Sequence, residues 1–447
     1  MEENCKAYSD GTTTTYKPIG LLQRYGEDDL MAFGLLSGSF LKNTSGGVLR
    51  KNISTFKDEI NLDTGQFSNT TGIVRTIDKF RISEFRYSDH VYDPTRWITN
   101  CPMYEGLRYF AGKSGPTSDF TTSTGGPLNL PIPAWNDPYR TSAGGYAHCA
   151  KPIQLVISDV NSSYDSDQLP GSYFSSFTGD LAGMNVSALA DTIWAGESEA
   201  SNIFIGESGS AASTNGIGTP SPKNVTSFAN IRGLAPEEPT KLGSYYAGSV
   251  GLFGQKTDVN PITGDQNVDT LSVALASPLP RIEIPVAGKV VTLVPFAKSV
   301  NRGTATFQPT NQIVDFYVET IVNTSANNAD STINSGKPYG KFQINFEDVE
   351  QAADHDMDAI AEYEFSVNPS NLNQIIVRVN STYAAGGIIQ HMGYVISGTD
   401  ADGTYLVVRD KFSSGDTGAQ TTADPDYFLD TPPGQAPNGV WDDDQSL

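Results

Sequence analysis

From Val290 to Asp410 one pattern recurs along the chain. VVTLVPFA (290–297), QIVDFYVETIV (312–322), GKFQINFED (340–348), AIAEYEFSV (359–367), NQIIVRVN (373–380), GIIQHMGYVIS (387–397) and GTYLVVRD (403–410) follow one another. Phe342, Ile344 and Phe346 alternate with polar residues, as do Tyr363, Phe365 and Val367. Successive side chains of a strand point to opposite faces, so alternation at period two describes antiparallel strands with one face in a core and one in water. Phe316, Phe342, Phe346 and Phe365 are expected to fill that core. Asn-Pro-Ser-Asn (368–371) and the Asp-Gly of GTDADGTY (398–405) read as turns, the latter as a tight hairpin. A chain with this run cannot be a helical bundle.

The upstream part reads differently. PIQLVISD (152–159) is an apolar run ending in Asp, the signature of a strand buried on both faces. MNVSALADTIWAG (184–196) sets Val186, Leu189, Ile193 and Trp194 near helical spacing, with Gly196 as a stop, and VDTLSVALASP (268–278) repeats the buried-strand pattern. Strand, helix, strand predicts an α/β layer. DDLMAFGLLSGSF (28–40) and GGVLRKNI (46–53) predict a strand pair, and the Ser/Thr/Gly/Pro stretch at 113–147 a long loop. The expected class is therefore α+β, or mixed: an α/β region with large loop insertions over 1–279, then an antiparallel β-rich domain over 280–447. Its Pro/Gly-rich acidic tail, DTPPGQAPNGVWDDDQSL, is expected to fray.

Charge narrows function. The chain has 447 residues and a formal net charge of −22, with 18% charged residues. Such acidity excludes a basic footprint on phosphate, so no nucleic-acid partner is expected, and it also speaks against a polybasic membrane anchor. No apolar run is long enough to span a membrane, and the N-terminus lacks the basic and apolar regions of a signal peptide. Cys5, Cys101 and Cys149 form no C-x-x-C pair, which leaves either one disulfide, with Cys101 and Cys149 as its candidate partners, and one odd thiol, or a partner cysteine on another chain.

Residues suited to chemistry are sparse. Asp159, Asn161, Asp165 and Asp167 crowd the end of the 152–159 strand, where oxygen ligands from one loop can surround calcium or another hard divalent cation. Their spacing lacks the Gly and Glu of an EF-hand, and a solvated acidic loop explains the same residues. DHDMD (354–358) and the acids of the 398–405 turn read as polar turns. His90, His148, His355 and His391 are scattered and build no Ser/His/Asp or Cys/His set, and no phosphate-binding, zinc-protease or nucleophile-elbow motif occurs. The expectation is a non-enzymatic protein. The alternative is a secreted carbohydrate-binding or carbohydrate-cleaving surface protein, since a glycosidase needs only two well-placed carboxylates and 51 acids are present.

Several stretches resemble one family: YKPIGLLQRYG (16–26), CPMYEGLRYFAG (101–112), LVISDVNSSYDSDQLPGS (155–172), LPRIEIPV (279–286), LVPFAKSV (293–300), QPTNQIVDFYVETI (308–321), INFEDVEQAADHDMDAIAEYEF (344–365), NSTYAAGGIIQHMGYVISGTDADGTYLVVRD (380–410) and YFLDTPPG (427–434). In this order they are similar to the PilC/PilY proteins of type IV pilus tips. The resemblance implies an exported protein at the pilus tip on the cell surface. It would support pilus assembly, oppose retraction, cap the minor-pilin complex, and bind host or abiotic surfaces. It also implies a von Willebrand A-like region, in which Asp159 matches a metal-holding Asp at a strand end, and a β-propeller. No D-x-S-x-S loop precedes the matched motifs and no propeller segment is recognised, so the A-like region and its metal site are expected to be incomplete. A separate propeller chain or segment is an expected partner beside the minor pilins.

Overall fold

A computed structural model describes residues 4–38, 47–68, 71–80, 103–123, 125, 128–159, 162, 164–197, 202–209, 221–234, 243–275, 281–301, 307–310, 312–347, 358–384, 388–400, 403–411, 440–441 and 445–446. The chain opens with a hairpin of β1 (Cys5–Ser9) and β2 (Thr14–Pro18), helix α1 (Leu21–Gly26), and a second antiparallel pair, β3 (Phe33–Ser37) and β4 (Val48–Ser54). Helices α2 (Ile73–Phe80) and α3 (Met103–Phe110) follow, then β5 (Ile153–Asp159), α4 (Val186–Glu197), β6 (Asn202–Ser208), β7 (Ser221–Asn224), β8 (Ile231–Leu234), α5 (Tyr246–Lys256) and β9 (Asp269–Leu275). The described strands that follow are β10 (Ile282–Val286), β11 (Lys289–Asn301), β12 (Phe307–Thr310), β13 (Gln312–Val322), β14 (Tyr339–Glu347), β15 (Ala359–Val367), β16 (Ile375–Ala384), β17 (Ile388–Ser397), β18 (Gly403–Lys411), β19 (Val440–Trp441) and β20 (Gln445–Ser446), with two 3-10 turns, Ala326–Asn328 and Asn334–Gly336, between β13 and β14. The architecture is mixed and strand-rich.

Two compact units emerge. The first contains Met1–Ser158, Asp167–Leu189 and Ala247–Ala274; the second contains Asp159–Ser166, Ala190–Tyr246 and Leu275–Leu447. Small local cores hold the first. Tyr8, Phe56 and Ile60 pack together with Leu22, Phe33 and Val74 against them, and Leu49, Tyr109 and Trp135 form another cluster. Helix α2 begins where Glu59, almost fully buried, accepts the N–H groups of Ile73 and Val74 at 2.8 and 3.0 Å. A carboxylate there satisfies orphan donors and sits at the positive end of the helix.

In the second unit two sheets make a sandwich, their strands antiparallel except that β19 joins β18 in parallel. One has the order β10-β11-β17-β18-β19, with β12 also on β11; the other runs β13-β14-β15-β16-β20. Ile284, Leu293 and Met392 of the first sheet and Ile344, Tyr363 and Val377 of the second belong to one buried cluster. Tyr363 bridges the sheets: its fully buried hydroxyl donates to the Gly393 carbonyl at 2.8 Å and lies 3.3 Å from that of Phe296. The β17–β18 hairpin forms where the sequence predicts it, but the connection is not a tight Asp-Gly turn: Gly403 already belongs to β18 and pairs with Ile396, leaving residues 397–402 between the paired positions. A small antiparallel sheet, β7-β6-β8, stands beside these in the same unit, with Ile205 and Ile231 fully buried.

Several expectations need correction. The strand at 152–159 is not buried on both faces, because Ile153, Leu155 and Ile157 are exposed. The same holds for 268–278, where Val268 is buried but Leu271 and Val273 are exposed. Phe342, Phe346 and Phe365 are core residues as expected, whereas Phe316 is 38% exposed, because β13 is an edge strand. Helix α4 runs through Gly196 to Glu197 instead of stopping there. The tail does not simply fray: β19 pairs with β18 and β20 with β16.

Candidate functional site

The acidic loop is only partly described. Asp159 is the last residue of β5, and Asn161 lies outside the described residues. Asp165 is buried, and its Oδ1 accepts the Ser244 N–H at 2.7 Å. Ser244 Oγ in turn accepts the N–H of Tyr246, the first residue of α5. One Asp165 oxygen is thus engaged in ordering the turn that starts a helix, a structural role that the spacing did not reveal. The approach is close: a Cβ at Gly243 would lie within 1.7 Å of the Ser162 carbonyl oxygen. Asp167 is exposed. Among the described residues no three His, Cys, Asp or Glu converge to hold a metal. Of the other candidates, Cys101, His90 and His355 lie outside the described residues, so the Cys101–Cys149 bridge does too; Cys149 is exposed and Cys5 half-buried. Asp358 of the DHDMD stretch is buried, with its N–H on the Phe346 carbonyl at 2.9 Å.

A second cluster was missed by sequence reasoning. In α3, Glu105 and Arg108 are buried one turn apart. Arg108 Nη1 donates to Glu105 Oε2 at 3.0 Å, Nε and Nη2 grip Asp180 at 2.7 and 2.9 Å, and Nη1 also reaches the Gly115 carbonyl at 2.8 Å. The Thr117 N–H adds a bond to Glu105 at 3.2 Å. Burial pushes the Glu105 carboxyl up to about 7, against the opposing pull of Arg108 and of the Thr117 N–H. The bidentate contact with Arg108 holds Asp180 below the usual carboxylate range. These bonds fasten the 113–117 and 180 segments to α3. They are an anchor for the long loop, with every charged group turned to a protein partner. The signal was present in the CPMYEGLRYF stretch: Glu and Arg three apart in an apolar helix must be paired to be buried.

The most unusual surface of the first unit is the pair β5 and β9. Asp269 donates its N–H to the Pro152 carbonyl at 3.2 Å, and Lys151 pairs with the Asp269 carboxylate at 2.5 Å. Both strands therefore start together and run the same way. One face is covered by helices: a Cβ at Gly106 of α3 would collide with Gln154, and one at Gly254 of α5 would lie 2.9 Å from Leu107 and 3.2 Å from the Val268 carbonyl. On the other face Ile153, Leu155, Ile157, Leu271 and Val273 stand exposed. Parallel strands are normally covered on both faces. Half-exposed side chains of this size would contribute about 1 kcal/mol each on covering, or roughly 5 kcal/mol for five.

Fold and surfaces together define a class: a strand-rich, two-unit chain with exposed apolar strand faces, in which no three His, Cys, Asp or Glu converge among the described residues. Comparison with known proteins agrees with the motifs quoted above. The family description "PilY1 homolog, second domain" matches residues 33–254, and "PilY1 homolog, beta-sandwich" matches residues 284–446. The type IV pilus biogenesis factor PilY1 homolog of Xylella fastidiosa is 44% identical over 484 aligned residues, which cover 98% of this chain and 32% of that protein. The chain therefore belongs to the PilY1 homolog family, and it spans about a third of the length of this curated relative. No solved structure matches. Among the described residues no helix is long and apolar enough to cross a membrane.

Proposed function

We propose that the chain is a non-enzymatic part of a type IV pilus tip protein. In this reading it supports pilus assembly and opposes retraction by capping the minor-pilin complex. It reaches the cell surface by export through the envelope, and it contributes to adhesion to host or abiotic surfaces. The carrying observation is the 44% identity, across 98% of the chain, to a protein named for type IV pilus biogenesis. The division at 279/280 separates an A-like region from the sandwich. In the reading proposed, β5 and β9 are two strands of a von Willebrand A-like layer, and the exposed face of Ile153, Leu155, Ile157, Leu271 and Val273 is covered by further elements of that layer. Calcium, if bound, is held by Asp159, Asn161, Asp165 and Asp167 together with groups from such elements. Minor pilins and a β-propeller chain or segment are the proposed partners.

Deletion of the region encoding residues 1–447 tests the reading, in cells with and without the retraction motor. Pili should be lost in the first background and partly restored in the second. Normal piliation and adhesion in both would refute it. Loss in both would leave the assembly role and remove the anti-retraction role.

A further inference from the structure

The edge strand β13 carries a surface that the reading above does not use. In its pairing with β14, Phe316 lies opposite Ile344, Val318 opposite Phe342 and Ile321 opposite Gly340. Directly opposed residues share a face, and Phe342 and Ile344 are core residues. Phe316, Val318 and Ile321 thus point to the core side of the sheet, yet they are 38%, 41% and 42% exposed. On the outer side Tyr317 is 64% exposed. Among the described residues no strand lies beyond β13. The Phe316 N–H is satisfied locally, by the Asp315 carboxylate at 2.8 Å, rather than by a neighbouring strand. The sandwich core is open along this edge, over the run Asp315–Val318 that lies in continuous register between two bulges.

We infer that this edge receives an extended segment of another polypeptide, about four to six residues long, that alternates apolar and basic side chains. The apolar residues of such a strand would cover Phe316, Val318 and Ile321. Its basic residues would face the outer side, where Asp315, Glu319, Glu362 and Glu364 outnumber Lys341 and Arg378. Lys341 is already shared between Glu319 at 3.0 Å and Glu362 at 2.8 Å, and Arg378 is taken by Glu364 at 3.0 Å. The surplus charge is therefore negative. A second copy is a poor occupant. Two-fold pairing of β13 with itself about Tyr317 would set Asp315 opposite Glu319 of the copy, like charges directly opposed. The bulges at Val314 and Glu319 further discourage long edge-to-edge pairing.

The test uses the whole chain and two capped peptides, Val-Lys-Val-Lys-Val-Lys and Val-Glu-Val-Glu-Val-Glu, in titrations read by β13 and β14 amide shifts in NMR. The basic peptide should bind at this edge and the acidic one should not. Val318→Lys, which removes the apolar lining, should weaken the basic peptide about tenfold or more, while Val318→Thr serves as a check that the strand still folds. Asp315→Asn keeps the bond to the Phe316 N–H and should weaken binding several-fold at low salt, with little difference at high salt. Equal binding of both peptides, no binding of either, or an unchanged affinity in folded Val318→Lys overturns the inference. So does a parent dimer in sedimentation that Val318→Lys dissociates, which would make a second copy the occupant.

Discussion

Tyr363→Phe isolates the contact that ties one sheet of the sandwich to the other. The ring is fully buried, so phenylalanine keeps its packing and removes only the hydroxyl. That hydroxyl donates at 2.8 Å to the Gly393 carbonyl on β17 and lies 3.3 Å from the Phe296 carbonyl on β11, both on the facing sheet. One hydroxyl has one proton, so the shorter contact carries most of the bond. A buried bond of this kind contributes about 1 kcal/mol net, and leaving a carbonyl without its donor adds to the cost, giving about 1–2 kcal/mol in all. For a unit of this size each kcal/mol shifts the melting temperature by about 2–4 °C, so a drop of about 3–7 °C is expected. Burial also drives the Tyr363 phenol well above its ordinary range, so its ionisation should be missing from an ultraviolet titration of the folded protein. Tyr363→Ala, which also empties the ring volume, should cost about 3–5 kcal/mol. Calorimetry and urea unfolding of the three proteins give the comparison. A phenylalanine variant as stable as the parent, or as damaged as the alanine variant, would refute the cross-sheet role.

Four other outcomes follow from the same geometry. Glu105 holds a proton in the folded state up to about pH 7 that the unfolded chain releases near 4.5, so its contribution falls as pH rises through that window, by at most about 3 kcal/mol; urea midpoints across it should decline more steeply in the parent than in Glu105→Gln, and parallel curves would contradict this. Gly243→Ala should destabilise the turn before α5, because the new Cβ would meet the Ser162 carbonyl oxygen at 1.7 Å; faster amide exchange at Ser244 and Tyr246 reads the effect. Arg50 is buried and donates to Ser37, Pro131 and Gly38, so Arg50→Met should strand three acceptors and cost about 2–4 kcal/mol in urea unfolding. Leu155→Lys should leave the stability of the 447-residue chain within about 0.5 kcal/mol and lower its binding of an apolar dye, because Leu155 faces water there; a large loss of stability would show the side chain to be covered.

The sandwich was legible because its strands are amphipathic at period two: the alternation around Phe342, Tyr363 and Ile344 marked both the strands and their buried face. Phe316 misled because alternation reports which side of a sheet a residue faces, not whether the sheet ends there. The upstream unit was less readable. An apolar run such as LVISD looks alike whether both faces are covered or one is open, and the open face of β5 and β9 appears only when their neighbours are placed. Helices α1, α2, α3 and α5 are short, and in α3 buried charges interrupt the apolar stripe that would mark it; Glu105 and Arg108 make sense only with Asp180, seventy-two residues beyond Arg108. The acidic loop was visible as a cluster, but the engagement of Asp165 with Ser244 depends on a turn seventy-nine residues away.

Membership in the PilY1 homolog family gives the account its functional content, and the central claim is residence at the pilus tip. Immunogold labelling of intact, sheared pili with an antibody raised against residues 281–411 tests it most directly. The account predicts single gold particles at one end of the filament, lost when the coding region is deleted. Gold spread along the shaft, or confined to the cell body with unlabelled pilus ends, would contradict it.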